Sequence, residues 1–182
     1  IVSDKKVPFG TNILFRCKNL PELTIGAEIC EDLWVPAPPS VGHALAGASI
    51  ILNLSASDET TGKDIYRRDL VKNQSARLVC GYIYADAGEG ESTTDLVFAG
   101  HNLIAENGTL LSESKRFDNE FIISEIDIQR LMNERRRMST FIPRSQQEYV
   151  VVEFQFEKCN QLPETTLSRH IDKSPFVPSI KA

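Results

Sequence analysis

The spacing of apolar positions divides the first half of the chain into alternating strands and helices. The short run ILF at 13–15 predicts a strand, and LTIGAEIC at 23–30 predicts a stronger one that ends on Cys30. Pro38, Pro39 and Ser40 mark a helix start, followed by the small residues of VGHALAGA. Small side chains let such a helix lie close to a sheet. SIILNLSA at 49–56 is almost continuously apolar and predicts a strand buried on both faces. The stretch 61–79 has a helical period, with Ile65, Leu70, Ala76 and Val79 among its expected buried positions. CGYIYADA at 80–87 is the next strand. A β-α-β-α-β alternation of this kind belongs to an α/β layered fold.

The pattern then changes. Two short strands flank the turn signal ENG at 106–108. EFIISEID at 120–127 predicts a further strand, and Asp127 caps a short helix carrying Ile128, Leu131 and Met132. EYVVVEFQF at 148–156 alternates from Val152, placing Val152, Phe154 and Phe156 on one face. From 159 to 182 periodicity fades and prolines accumulate, as in an extended tail or inter-domain linker.

Composition narrows the class. The chain has 182 residues, 41% of them hydrophobic, which suffices for a real core and argues against disorder. The longest apolar runs are far too short to span a bilayer, and no signal-peptide pattern is visible at the start. A net charge of −5 with interspersed signs gives no nucleic-acid footprint. The basic cluster at 133–141 suits a helix C-terminus and a solvated or interface role. Cys17, Cys30, Cys80 and Cys159 form no CxxC pair, so neither a zinc site nor a redox motif is indicated. Free thiols in a reducing cytoplasm are the expectation. The first residues lack an initiator methionine, and the chain reads as though entered partway along a longer protein.

Cys30 is the candidate for chemistry. A nucleophilic thiol suits a strand end, where a rigid sheet presents it to a cleft and a following turn offers backbone N–H groups to an oxyanion. A small buried hydrophobe is the competing reading of the same residue.

The segment IGAEICEDLWVP resembles the nucleophile segment of the nitrilase (carbon–nitrogen hydrolase) superfamily, with Ile29, Cys30, Asp32, Trp34 and Pro36 in the matching places. VPFGTNILF upstream and DLVFAGHNLIAENGTLL downstream are similar to the strand before the nucleophile and to the late hairpin of that superfamily. ILNLSAS, GEGESTTD at 88–95 and the final KSPFVPS narrow the resemblance to the glutaminase domain of glutamine-dependent NAD⁺ synthetases. The resemblance implies a partial α-β-β-α sandwich over 1–158 and a linker over 159–182 toward an absent synthetase domain.

The resemblance also implies roles. Cys30 becomes the nucleophile that forms a thioester with glutamine, and the backbone N–H of Glu31 lies in the oxyanion hole. Ser57 and Lys63 become substrate-binding residues, with Lys63 toward the α-carboxylate. Tyr84, Glu89 and Glu91 line the pocket or a subunit contact. The base glutamate and oxyanion lysine of the superfamily lie upstream of the strand at 13–15, so Lys5, Lys6, Glu31, Glu89 and Glu91 are not their counterparts. The expectation is therefore a parent enzyme that hydrolyses glutamine and feeds ammonia to ATP-dependent NAD⁺ synthesis from deamido-NAD⁺, and a fragment inactive alone. No cofactor is expected in this fragment; ATP and Mg serve the synthetase domain. Glutamine, that domain and a second copy of the chain are the expected partners. A stand-alone amidase and a non-catalytic oligomerisation module are the alternatives.

Overall fold

The computed structural model describes residues 4–118, 120–156 and 166–171. Seven strands form one sheet: β1 (Ile13–Cys17), β2 (Thr24–Ile29), β3 (Ile50–Ser55), β4 (Gly81–Asp86), β5 (Leu103–Glu106), β6 (Thr109–Glu113) and β7 (Val150–Phe154). Their spatial order is β6-β5-β4-β3-β2-β1-β7. The central strands β2, β3 and β4 run parallel, β1 and β5 run antiparallel beside them, and β7 lies parallel to β1 at the edge. The hairpin between β5 and β6 turns on Asn107 and Gly108, both at positive φ, as the NG signal requires.

Helices α1 (Pro39–Leu45) and α2 (Lys63–Leu78) cover one face of this sheet. Leu14, Ile51, Tyr82, Tyr84, Leu103 and Ala105 point to that face and form the core with Ala44, Val71 and Leu78. α1 comes so close that a Cβ on Gly26 would stand 2.9 Å from His43. Glycine in β2 and small residues in α1 are two halves of one close approach.

The opposite face is only partly covered. Ile25, Ala27, Leu52 and Ile83 are half-buried there, and Ile29 and Leu54 are 67% and 58% exposed. β3 is thus buried on one face, where its apolar run predicts two. An apolar face of this kind fits a sandwich in which a second layer packs on the sheet.

Three other expectations change. The segment 120–127 forms no strand. Ile126 instead packs over Gly81, Asp127 N–H donates to the buried Glu106, and Phe121 and Ile123 stay exposed. In α2 the inward positions are Arg67, Val71, Gln74, Ser75 and Leu78, whereas Ile65 is exposed and Leu70 and Ala76 are half-buried. Val79 is buried as expected. The basic cluster is not wholly solvated. In α3 (Ile128–Arg137), capped by Asp127 as expected, Arg135 is buried. It donates to the carbonyls of Ala48, Leu78 and Val79. The bonds to Leu78 and Val79 close the C-terminus of α2, where Val79 takes a left-handed conformation (φ 46°) that β-branched residues rarely adopt. β7 ends at Phe154, and Phe156 lies beyond it with its ring edge-on to Phe154. The tail at 159–182 lies outside the described residues apart from 166–171, where Ser168 and Arg169 bind Glu125 and Arg169 pairs with Glu106 at 2.6 Å.

His43 on α1 gives the fold a pH dependence. Its Nε2 faces the Ala27 carbonyl at 3.1 Å and its Nδ1 faces the Tyr149 hydroxyl at 3.1 Å. The carbonyl only accepts, so the proton sits on Nε2 and Nδ1 accepts from Tyr149. Burial holds the imidazole below its ordinary pKa of 6.5, outweighing the Ala27 bond and the charges of Glu28 and Asp32. As pH falls through 6.5, the unfolded chain takes up a proton that the folded chain resists, so the stability tied to His43 is present above 6.5 and lost below it. Urea unfolding at pH 7.5 and 5.5 is expected to show a larger acid loss for the wild type than for His43→Gln. Equal losses would remove His43 as the cause.

Candidate active site

The parallel strands β2, β3 and β4 end on the same side, and the candidate residues collect there. β2 delivers Cys30, the loop after β3 delivers Ser57, and β4 ends at Asp86. Carboxyl ends of parallel strands are where open α/β sheets bind ligands.

Cys30 leaves β2 with φ 50°, the left-handed region, and opens a 3₁₀ turn over Cys30–Leu33. Continued strand geometry would send its side chain to the helix-covered face, since Glu28 points there and Ile29 away. The positive φ breaks that alternation, and Cys30 is half-buried. Asp32 accepts the Ile29 N–H at 2.8 Å and closes the turn. The acid two residues after the cysteine therefore has a structural task. Glu31 is exposed, and its N–H opens the 3₁₀ turn without a partner inside it. Beneath the turn lies a buried chain of polar groups. Asn53 accepts the Cys30 N–H at 3.0 Å and donates to the Cys30 carbonyl at 3.3 Å. It also donates to the Tyr82 hydroxyl, which in turn donates to Glu28. Burial, then the charge of Glu28, pushes the Tyr82 phenol up and keeps it neutral. The other Glu28 oxygen takes the Ser40 N–H at 2.8 Å. Among the described residues, no side chain is hydrogen-bonded to the Cys30 thiol. Lys5 and Lys6 are exposed.

Ser57 is buried. Its N–H donates to Asp86 at 2.9 Å, and its hydroxyl accepts from Arg67 at 3.2 Å. Arg67 is 0% exposed in the middle of α2. It also donates to Glu59 at 3.0 Å and to His101 Nδ1 at 2.9 Å. A guanidinium only donates, so His101 carries its proton on Nε2 and donates it to Glu113 at 2.7 Å. Burial would raise the Glu113 carboxyl, but Arg68 and His101 hold it below the usual range. Burial raises Asp86 above its ordinary value. Lys63 begins α2, pairs with Asp58 at 2.6 Å and lies over the Trp34 ring at 5.5 Å. That pairing holds the Asp58 carboxyl below its usual range. Asp58 bridges to Phe98, and the Glu59 N–H bonds the Val97 carbonyl, so the stretch following GEGESTTD runs beside the Ser57 loop. Glu89 and Glu91 form an exposed short turn there, and Tyr84 is buried against Ser55.

The structure thus gathers Cys30, Ser57 and Lys63 at one end of the sheet. Asn53, Arg67, Glu28 and Tyr82 escaped the sequence reading, because polar residues inside apolar runs or on a charged helix read as solvated. Cys17 and Cys80 are buried, and burial pushes the Cys80 thiol up to about 12, which leaves it inert. The described residues contain no cluster suited to a metal ion.

No family model matches the chain. It is 41% identical over 98% of its length to a glutamine-dependent NAD(+) synthetase of Mycobacterium leprae, of which it spans 27%. A crystal structure of a glutamine-dependent NAD(+) synthetase from Cytophaga hutchinsonii superposes with a TM-score of 0.54 at 35% identity, covering 66% of this chain and 18% of that one. A member of branch 10 of the nitrilase superfamily from Saccharomyces cerevisiae superposes at 0.55 and 19% identity over 64% of this chain and 42% of that one, a likeness of fold. The chain is therefore homologous to one stretch, about a quarter of the length, of glutamine-dependent NAD(+) synthetases.

Proposed function

We propose that Cys30 is the nucleophile of a glutamine amidohydrolase whose ammonia serves ATP-dependent NAD⁺ synthesis from deamido-NAD⁺ in a longer enzyme. The observation that carries this reading is the turn at Cys30. A thiol on a left-handed residue at a strand end, with the N–H of Glu31 next to it, is the arrangement acyl transfer needs. The thiolate attacks the glutamine amide carbon and the carbonyl oxygen becomes an oxyanion beside the Glu31 N–H. The amide nitrogen takes up the proton that the thiol lost, and collapse breaks the C–N bond, expels ammonia and leaves a γ-glutamyl thioester. Water then adds, the C–S bond breaks, and glutamate and thiol are released.

Lys63, at the rim and partnered by Asp58, receives the α-carboxylate, and Ser57 shapes the floor between Arg67 and Tyr84. The half-exposed apolar face of the sheet supports a second sheet layer from the same enzyme. A synthetase domain that uses ATP and Mg, and a homo-oligomer in the cytoplasm, complete the reading. The Cys30 thiol has no basic or acidic side-chain partner among the described residues, so the 182-residue chain alone is expected to release no ammonia from glutamine. Assaying ammonia release from this chain and from the longer protein that contains it tests the reading. Turnover by the longer protein alone supports it. Turnover by the isolated chain that Cys30→Ala abolishes would contradict the need for further catalytic groups. A longer protein that leaves glutamine untouched would refute glutamine as substrate.

A further inference from the structure

We propose that Asn53 is the positioning residue that holds the Cys30 thiol out of the sheet. This rests on Cys30 being the nucleophile. The carboxamide of Asn53, on the neighbouring strand β3, grips both backbone polar groups of one residue: it accepts the Cys30 N–H and donates to the Cys30 carbonyl. That residue is the one whose φ of 50° departs from the strand. A non-glycine residue keeps such a backbone only where its surroundings over-determine it. Asn53 is itself fixed from below. It is 1% exposed, its remaining N–H is taken by Tyr82, and Tyr82 is tied to Glu28. Glu28 accepts the Ser40 N–H, and the Ser40 hydroxyl accepts from Gln74 of α2. Asp32 holds the other side of the turn through the Ile29 N–H. The turn is therefore clamped by side chains from β3, β4, β2 and α2.

The clamp explains a side-chain choice that apolar patterning alone does not. Position 53 lies on the helix-covered face of β3, in line with the core residue Ile51. An aliphatic residue would fill the space, yet would leave the N–H of Cys30 without its acceptor and its carbonyl with only the i+3 bond of the 3₁₀ turn. The turn would then relax toward extended backbone. Strand alternation would carry the thiol to the helix-covered face, away from the Glu31 N–H. Asn53 does not touch the substrate in this account. It acts through the direction in which Cys30 points.

The test is the rate at which iodoacetamide alkylates Cys30 in this chain, followed on the Cys30 peptide by mass spectrometry so that other thiols do not contribute. Asn53→Ala is expected to slow alkylation about tenfold, which is about 1.4 kcal/mol. Asn53→Asp keeps an acceptor for the Cys30 N–H and loses the donors, so its rate should fall between the two. It also carries the test if Asn53→Ala does not fold. Val71→Ala removes core packing on α2 without touching the clamp and should leave the rate unchanged at a temperature where it is folded. Equal rates in wild type and both Asn53 variants would overturn the proposal, as would equal slowing in Val71→Ala. Alkylation needs no glutamine chemistry, so the Asn53 result stands apart from the substrate. Glutamine turnover by the longer protein decides the substrate separately.

Discussion

Arg67→Ala should cost this chain about 3–5 kcal/mol of folding stability, enough to unfold a marginal domain. The guanidinium is wholly buried and serves four groups at once: Ser57, Glu59 and His101 by hydrogen bonds, and Asp86 at 3.9 Å. Alanine would leave Glu59 with the part-exposed Arg116 at 3.7 Å and leave the buried Asp86 carboxylate with the Ser57 N–H but without its cation. An uncompensated buried charge is what makes breaking such a network costly, whatever the net worth of the intact one. His101 would lose the donor that fixes its tautomer, and the Ser57 loop would lose its link to α2. For a chain of this size the loss corresponds to a melting temperature lowered by about 10 °C. Arg67→Lys keeps the charge but cannot reach all four partners and should recover only part of the loss. Thermal melts of the three proteins measure this. A loss below about 1 kcal/mol for Arg67→Ala would mean that solvent reaches the network.

The second large effect concerns chemistry. Under the proposed function, Cys30→Ala in an enzyme that carries this chain should reduce glutamine-dependent NAD⁺ synthesis by at least about 10³-fold, because the proposed thioester forms on this thiol. Synthesis fed with free ammonia should survive, since that step does not use the thiol. The pair of rates separates loss of the nucleophile from general damage. Loss of both activities would indicate that Cys30 supports the structure of the whole enzyme. Survival of the glutamine-dependent rate would remove it as nucleophile.

Much of the site could be read from sequence because its parts sit where local patterns change. Cys30 ends a β-branched run, a turn follows at once, and the acid at Asp32 closes that turn. The helix at Pro39 and the hairpin at Asn107–Gly108 were equally legible, since proline and positive-φ residues leave few alternatives. The polar support of the site was not. Asn53 stands inside an apolar run and Arg67 inside a charged helix, and only the sheet register and the packing of α2 reveal that both face inward. The same packing explains why Ile65 is exposed: the side of α2 that the sheet receives is the one carrying Arg67, Gln74 and Ser75, so helical period misplaced its inner face. The segment 120–127 has a strand's composition, but Glu106 draws the Asp127 N–H and Ile126 covers Gly81, which lays the segment over the sheet without a ladder partner. Arg135 read as a solvated or interface cation because nothing local shows that the carbonyls of Leu78 and Val79 at the end of α2, and of Ala48 after α1, await it.

The central claim is that Cys30 carries the acyl group. Acid-quenching the longer protein during turnover with glutamine, followed by peptide mass spectrometry, tests it most directly. The prediction is a γ-glutamyl adduct on the Cys30 peptide, absent from Cys30→Ala. Ammonia release in the wild type with the adduct on another residue, or with the same yield in Cys30→Ala, would contradict it.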